Sequence, residues 1–292
     1  MSTSQCGSTA GGGCGGEEGR RLRELKEQIE LQENLFSIKH KIIVMSGKGG
    51  VGKSSVAANL AVSLALKGKK TGILDADLHG PSIPTILGLE GMPATTGSSR
   101  MEPLAYNENL KVISVGLLLR NKDEALIWRG PAKHGVIKQF LSTVDWGGLD
   151  YLIVDCPPGT GDEPLSVVQL LENADGAVIV TTPQDVALSD VRKSITFCRQ
   201  INLPVIGVVE NMSGFSCPHC GEVVDIFKSG GGMQMASQMN VPFLGRIPLD
   251  PAMVGSGDAG QPIVEHQAAS PTAIAFAHIV AKITEARAGN CE

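Results

Sequence analysis

The chain is 292 residues long, with 25 Lys and Arg against 30 Asp and Glu, a formal net charge of −5 at neutral pH. With 42% apolar and 19% charged residues it is too apolar to be disordered, and it lacks the basic excess that wraps nucleic acid. Glycine is the outlier: 36 residues, about 12% against roughly 7% in an average protein, so the backbone must turn sharply or approach ligands closely at many points.

Residues 1–16 are mostly Gly, Ser and Thr with Cys6 and Cys14, a composition that buries no core and predicts a flexible tail without the apolar stretch of a secretory leader. Residues 17–36 read as a polar helical arm, solvated, with Leu22, Leu25 and Ile29 and Glu–Lys pairs for local support. Residues 37–292 read as one α/β domain. Short apolar runs at Lys41–Met45, Thr71–Asp75, Leu110–Val115, Tyr151–Asp155, Ala177–Thr182, Val205–Glu210 and Phe243–Ile247 predict strands. Helical patterns at Lys53–Lys67, Ala132–Thr143, Glu163–Glu172, Val186–Ile201, Gly232–Met239 and Pro271–Ala288 lie between or after them. Continuously apolar strands alternating with helices predict a mainly parallel sheet covered on both faces, with its ligand site beyond the carboxyl ends of the strands. The Gly/Pro/Ser-rich stretch from Gly88 to Asn109 predicts a long surface excursion. No apolar run approaches the roughly 20 residues of a membrane helix. Seven scattered cysteines, an odd number, argue for a reducing, cytoplasmic compartment over a disulfide framework.

After the first strand comes Gly47-Lys48-Gly49-Gly50-Val51-Gly52-Lys53-Ser54-Ser55. Gly47, Gly49 and Gly52 fit the dinucleotide code G-x-G-x-x-G, yet Gly47 to Ser54 also fits G-x-x-x-x-G-K-[ST]. Only the second code gives Lys53 and Ser54 roles, on the β/γ-phosphates and on Mg²⁺, and it demands a distal strand ending in Asp, which Leu152-Ile-Val-Asp155 supplies. The loop therefore reads as an ATP-binding P-loop. Asp75-Ala-Asp77 leaves the second strand with both carboxylates expected beside the loop, one to orient the attacking water and one to hold metal-bound water. Asp155-Cys-Pro-Pro-Gly-Thr-Gly-Asp162 leaves its strand as a second switch, since two prolines cannot continue a central strand.

The remaining dense string is Asn211-Met-Ser-Gly-Phe-Ser-Cys217-Pro-His-Cys220-Gly221. Its Cys-Pro-His-Cys suits a disulfide oxidoreductase, a zinc knuckle or half of an iron–sulfur site, but the redox reading needs a helix where the following residues, Glu222–Phe227, look extended. One chain offers two thiolates, and a two-fold dimer would complete four.

Lys48 ahead of Lys53 resembles the deviant Walker A motif of the MinD and nitrogenase iron-protein class of dimeric ATPases. That loop, the Asp75–Ser82 string, Asp155-x-Pro-Pro-Gly-Thr-Gly-Asp, and Glu210-Asn-Met-Ser before Cys217-x-x-Cys220 together resemble the Mrp/ApbC iron–sulfur cluster carrier ATPases over roughly Lys41 to Ala286. The resemblance implies a homodimeric ATPase of slow turnover that bridges a [4Fe–4S] cluster through Cys217 and Cys220 and passes it to apo iron–sulfur proteins. It further implies that Lys48 acts across the dimer on the partner's phosphates, that Asp77 rather than Asp75 positions the water, and that Asn211 recognises adenine. The alternative is a MinD-like regulatory or partitioning ATPase with structural zinc at the cysteine pair. A C-terminal segment carrying only Lys282 and Arg287 argues against membrane attachment. The tail departs from relatives that carry four N-terminal cysteines for a second cluster, because Cys6 and Cys14 are two.

Overall fold

A computed structural model describes residues 14–92, 100–118, 130–217, 220 and 222–288. Its first half runs α1 (Cys14–Phe36), β1 (Ile38–Ser46), α2 (Lys53–Leu66), β2 (Thr71–Asp75), α3 (Ile83–Ile86), β3 (Leu104–Asn107), β4 (Leu110–Ser114), α4 (Gly130–Thr143) and β5 (Leu149–Asp155). There follow α5 (Asp162–Leu171), β6 (Gly176–Thr181), α6 (Asp185–Gln200), β7 (Val205–Glu210), β8 (Phe215–Ser216), β9 (Val223–Val224), α7 (Gly231–Gln238), β10 (Phe243–Arg246), α8 (Pro251–Asp258), α9 (Ile263–His266) and α10 (Pro271–Ala288). Eight strands form one sheet in the order β10-β7-β6-β1-β5-β2-β4-β3, parallel except for the β3–β4 pair at one edge. The expected parallel α/β architecture is the observed one.

Strand alternation divides the core into two layers. Ile42, Val44, Ile73, Ile153 and Val178 pack toward α2, α9 and α10, whereas Ile43, Met45, Leu74, Leu152, Val154 and Ile179 pack toward α4, α5, α6 and α7. Both faces of the second half of β1 are therefore buried, which is why Ile42–Met45 is continuously apolar rather than alternating.

Three departures from the sequence reading concern the arm, the excursion and the hairpin. The helical arm starts at Cys14 rather than Glu17 and is docked, not solvated, at its C-terminal end. Leu31 and Leu35 are buried there, and the amide of Asn34 is shared among the carbonyls of Leu141 (3.2 Å), Ser142 (2.5 Å) and Val144 (3.3 Å) at the end of α4. Those carbonyls have no intrahelical partner, so Asn34 satisfies a helix terminus from another element. Leu22, Leu25 and Ile29, by contrast, stay exposed as the solvated reading expects. Second, the excursion after Gly88 includes β3, which pairs antiparallel to β4; its residues 93–99 lie outside the described residues. Third, of the extended stretch expected at Glu222–Phe227, only Val223–Val224 forms a strand, in a hairpin with β8.

Asn34→Ala should destabilise the protein by about 1–3 kcal/mol, since it strands buried carbonyls as well as losing its own bonds. Urea unfolding measures this, and a wild-type midpoint would show that α1 does not depend on the contact.

Candidate functional site: a phosphate loop, two switches and a cysteine hairpin

The centre of the sheet builds the site. β1 lies between β5 and β6, so the loop leaving Ser46 emerges at the carboxyl edge of the most buried strands. Gly50 (φ 79°) and Gly52 (φ 81°) take left-handed backbone that a side chain disfavours, and Gly52 leads directly into α2. A Cβ on Gly52 would also lie 2.3 Å from Nδ2 of Asn211. Gly52 offers no side-chain cap to α2 and the first turn of that helix carries no acid, so its N-terminus is left to an anion.

Across the strand ends, Val44 is in register with Asp155, and Asp155 with Asp75. Lys53 extends back over them. Its side chain is 7% exposed, with Nζ 2.5 Å from Oδ1 of Asp155, 3.8 Å from Oδ2 of Asp77 and 3.2 Å from the Ser54 hydroxyl. One ammonium thus faces two fully buried carboxylates, Asp75 and Asp155, and a third that is 17% exposed. Burial, with neighbouring Asp155 adding to it, pushes the Asp75 carboxyl up to about 8; burial also raises Asp155, opposed by Lys53. Lys53 opposes the shift at both, and a value near 8 leaves Asp75 holding its proton near neutrality.

The sequence leaves Asp75 and Asp77 open; the structure separates them. Asp75 accepts from the Ser114 hydroxyl (3.0 Å) and from the amides of Ile83 (3.3 Å) and Asp77 (3.1 Å), so it braces the segment that follows β2. It does not line the cavity beyond the loop, whereas Asp77 does. Both carboxylates stand by Lys53, as expected, but only Asp77 lines the cavity. The register of β2 sends Asp75 into the sheet edge, and the chain has already turned when it reaches Asp77.

The cavity has a volume of about 510 Å³, of the size that takes a nucleotide. Lys48, Gly49, Gly50, Gly52, Lys53, Ser54 and Ser55 form its floor, Pro158 brings in the second switch, and Met253, Val254, Gly257 and Asp258 close one side. That side belongs to α8, which sequence reasoning missed. A Gly-containing eight-residue helix has little periodic signal, and what holds it is Asp250, capping Ala252 (2.9 Å) and accepting from Thr272 (2.6 Å). The run Ile247-Pro-Leu-Asp250-Pro251 was the available clue. Gly47 and Val51 stand outside the cavity: Gly47 admits the backbone of Asp190 in α6, and Val51 is a core residue. Asn211 is buried as well, donating to the Val51 carbonyl at 2.9 Å, so it buttresses the loop from behind.

Asp155 bears on the metal expected with ATP. Its Oδ2 is buried and has no hydrogen-bond partner among the described residues, an arrangement costly to leave uncompensated. A hard cation prefers such oxygen donors, and the Ser54 hydroxyl beside Lys53 supplies another, so the donor set fits Mg²⁺.

The cysteine pair lies on the β8–β9 hairpin, closed by the Cys217 amide donating to the Glu222 carbonyl at 2.9 Å. Cys217 is half-buried and Cys220 exposed, beside the exposed apolar side chains of Val223, Val224 and Ile226. Pro218, His219 and Gly221 lie outside the described residues. Among the described residues no group of three or more His, Cys, Asp or Glu is placed to hold a metal. Cys156 and Cys198 are buried, and burial pushes both thiols up, Cys198 to about 11, as befits inert core residues. Cys6 and Cys291 lie outside the described residues, and Cys14 opens α1.

A parallel sheet with this loop, its buried Lys–Asp pair and two switch segments defines a P-loop NTPase. Residues 37–284 match the family described as ParA, NUBPL iron-transfer P-loop NTPase, and the chain belongs to it. It is 51% identical over 239 residues to the iron-sulfur cluster carrier protein of Methanocaldococcus jannaschii, covering 82% of each chain. It is 53% identical over 234 residues to the cytosolic Fe-S cluster assembly factor CFD1 of Kluyveromyces lactis, covering 78% of this chain and 83% of that one. Among solved structures, a nucleotide-binding protein from Archaeoglobus fulgidus in complex with ADP is similar at 42% identity and a TM-score of 0.72, over 83% of this chain and 93% of that one. The cell division ATPase MinD of Pyrococcus furiosus shares the fold, with a TM-score of 0.65 at 24% identity over 84% of this chain and 98% of that one.

The raised Asp75 value predicts a pH dependence. From its ordinary 3.8 up to about 8 the folded protein holds a proton that the unfolded chain has released, so this group's contribution to stability falls as pH rises through that window. Urea midpoints of the metal-free and nucleotide-free protein should decline between pH 5 and 8.5 (about 1.4 kcal/mol per unit of fully developed shift), and Asp75→Asn should flatten the decline. A slope unchanged in that variant would refute the protonated Asp75.

Proposed function

We propose that this chain is an ATP-hydrolysing carrier that holds a [4Fe–4S] cluster between two copies, through Cys217 and Cys220 of each, and delivers it to apo iron–sulfur proteins. The observation that carries the reading is the half-site. Two cysteines, one half-buried and one exposed, sit on a hairpin in a chain more than 50% identical to proteins named as iron–sulfur carriers and assembly factors. Four thiolates suit such a cluster, and a two-fold axis supplies the missing pair. Thiols kept for metal also suit a cytoplasmic, reducing compartment, and no helix of the described residues is long and apolar enough to cross a membrane.

The nucleotide chemistry follows from the loop. Backbone amides at the α2 N-terminus receive the phosphates, and Lys53 exchanges part of its contact with Asp155 for their β/γ oxygens. Ser54 and Asp155 would hold Mg²⁺, which when bound neutralises charge on those oxygens. Asp77, on the cavity wall within 3.8 Å of Lys53, orients the attacking water. Lys48 lines the cavity, and in a dimer its ammonium is offered to the partner's phosphates. Asn211 contributes to the adenine side by fixing the loop that the base approaches.

Asp77→Ala should lower the ATP hydrolysis rate by about 10²-fold or more while leaving ATP affinity within a few-fold. Single-turnover hydrolysis and equilibrium binding separate the two, and wild-type turnover would remove Asp77 from the mechanism. For the cargo, anaerobic reconstitution should give a brown dimer with about four iron and four sulfide, and Cys217→Ala should lose the iron while retaining ATP binding. Stoichiometric zinc without bound iron would overturn the carrier reading in favour of a regulatory ATPase with a structural metal.

A further inference from the structure

The carboxylate of Glu210, at the end of β7, is fully buried, and the nucleotide chemistry makes no use of it. Burying an anion is unfavourable unless several donors compensate it, so its partners are informative. One oxygen accepts from the Ser213 hydroxyl at 2.5 Å and from the Gly230 amide at 2.8 Å; the other accepts from the Gly232 amide. Arg246 of β10 stands 3.5 Å away. Ser213 lies where the chain departs toward the cysteine hairpin, and Gly230 and Gly232 lie where it returns into α7. A single side chain therefore clamps both ends of the segment that bears Cys217 and Cys220.

The approach is close enough to dictate sequence. A Cβ on Gly232 would lie 2.8 Å from Oε2 of Glu210, and Gly230 takes left-handed backbone (φ 83°). On the other side of the clamp the next residue is Asn211, whose amide bonds to the Val51 carbonyl and packs against Gly52. Met212, at φ 57°, then turns the chain away in a conformation that non-glycine residues seldom adopt. The P-loop, Asn211, Glu210 and the two ends of the hairpin segment thus form an unbroken series of direct contacts.

We propose that Glu210 is a positioning residue that couples occupancy of the P-loop to the setting of the Cys217/Cys220 hairpin. When phosphates order the loop, the Val51 carbonyl and Gly52 fix the position of Asn211, and Glu210 transmits that position to Ser213, Gly230 and Gly232. Contiguous hydrogen-bonded chains of this kind carry coupling between sites. The relevance to cargo rests on the reading of the two cysteines as cluster ligands; the coupling itself does not, so it is tested without metal.

The test uses the full-length, reduced, metal-free protein. The rates of iodoacetamide alkylation at Cys217 and Cys220 are followed by mass spectrometry, without nucleotide and with saturating Mg–ADP, and ADP affinity is measured separately. In the wild type ADP should change the rate at one or both cysteines by about five-fold or more, whereas in Glu210→Gln that ratio should fall below about two-fold with ADP affinity retained. Gln keeps the size of Glu but presents an amide donor where a glycine N–H needs an acceptor. Should Glu210→Gln fail to fold, Ser213→Ala, which removes one contact of the clamp, carries the test and should reduce the ratio. A merely structural role for Glu210 would lower stability and leave the ratio unchanged. Alkylation insensitive to ADP in the wild type, or a wild-type ratio in either folded variant, overturns the proposal. Failure of iron to bind on reconstitution would instead count against the cargo reading alone.

Discussion

The ion pair between Lys53 and Asp155 is the contact on which the rest of the site depends. It joins the first residue of α2 to the last residue of β5 at 2.5 Å, with one side chain 7% exposed and the other 0%. Buried charges of this kind stabilise a fold only when geometry and neighbouring donors are good, but breaking one partner leaves a buried charge uncompensated. Here the pair also decides what its neighbours can be. Asp75 lies in register with Asp155, and its own burial, with neighbouring Asp155 adding to it, makes it a protonated brace, while Asp77 lines the cavity and remains the carboxylate available to a ligand.

The molecule divides its labour by rigidity. The nucleotide loop is set on strands whose side chains are buried on both faces, where close packing allows little displacement. The cysteine hairpin projects as a short two-stranded ribbon that could not stand alone in water. It borrows order at its base, from Leu249, whose amide bonds to the Gly214 carbonyl (2.8 Å), from Lys228 paired to Asp185 (2.6 Å) and from the Glu210 clamp. Cys217 and Cys220 thus ride on a segment fixed at its root, which the ligand role proposed for them requires.

Much of this was legible in the sequence wherever the chemistry is written in one contiguous string. Gly47 to Ser55 announces its own geometry, because the turn, the helix start and the phosphate ligands are consecutive, and strands buried on both faces read as unbroken apolar runs. What escaped depends on partners distant along the chain. Asn34 reads as one more polar residue of a solvated helix until the carbonyls of residues 141–144 arrive to claim it. Asp75 and Asp77 are chemically identical until Ser114 and Ile83 select one of them. Glu210 stands inside a motif that sequence reading quotes without giving it a role, since its acceptor capacity is used by residues up to 22 positions later. The helix α8 was invisible because its cap, not its periodicity, makes it a helix.

The strand order carries a consequence for how the chain reaches this state. β1 is made well before its two neighbours in the sheet, β5 and β6, with Val44 in register with Asp155 and Val178. More than a hundred residues must leave the ribosome before this central strand finds either of its edges covered, and closure over such separations is slow. During that interval Ile42, Ile43, Val44 and Met45 form an unpaired, sticky segment of the kind that chaperones hold. The nucleotide site draws on the ends of β1, β2 and β5 and on α8, so its walls come together only after segments distant along the chain have been joined.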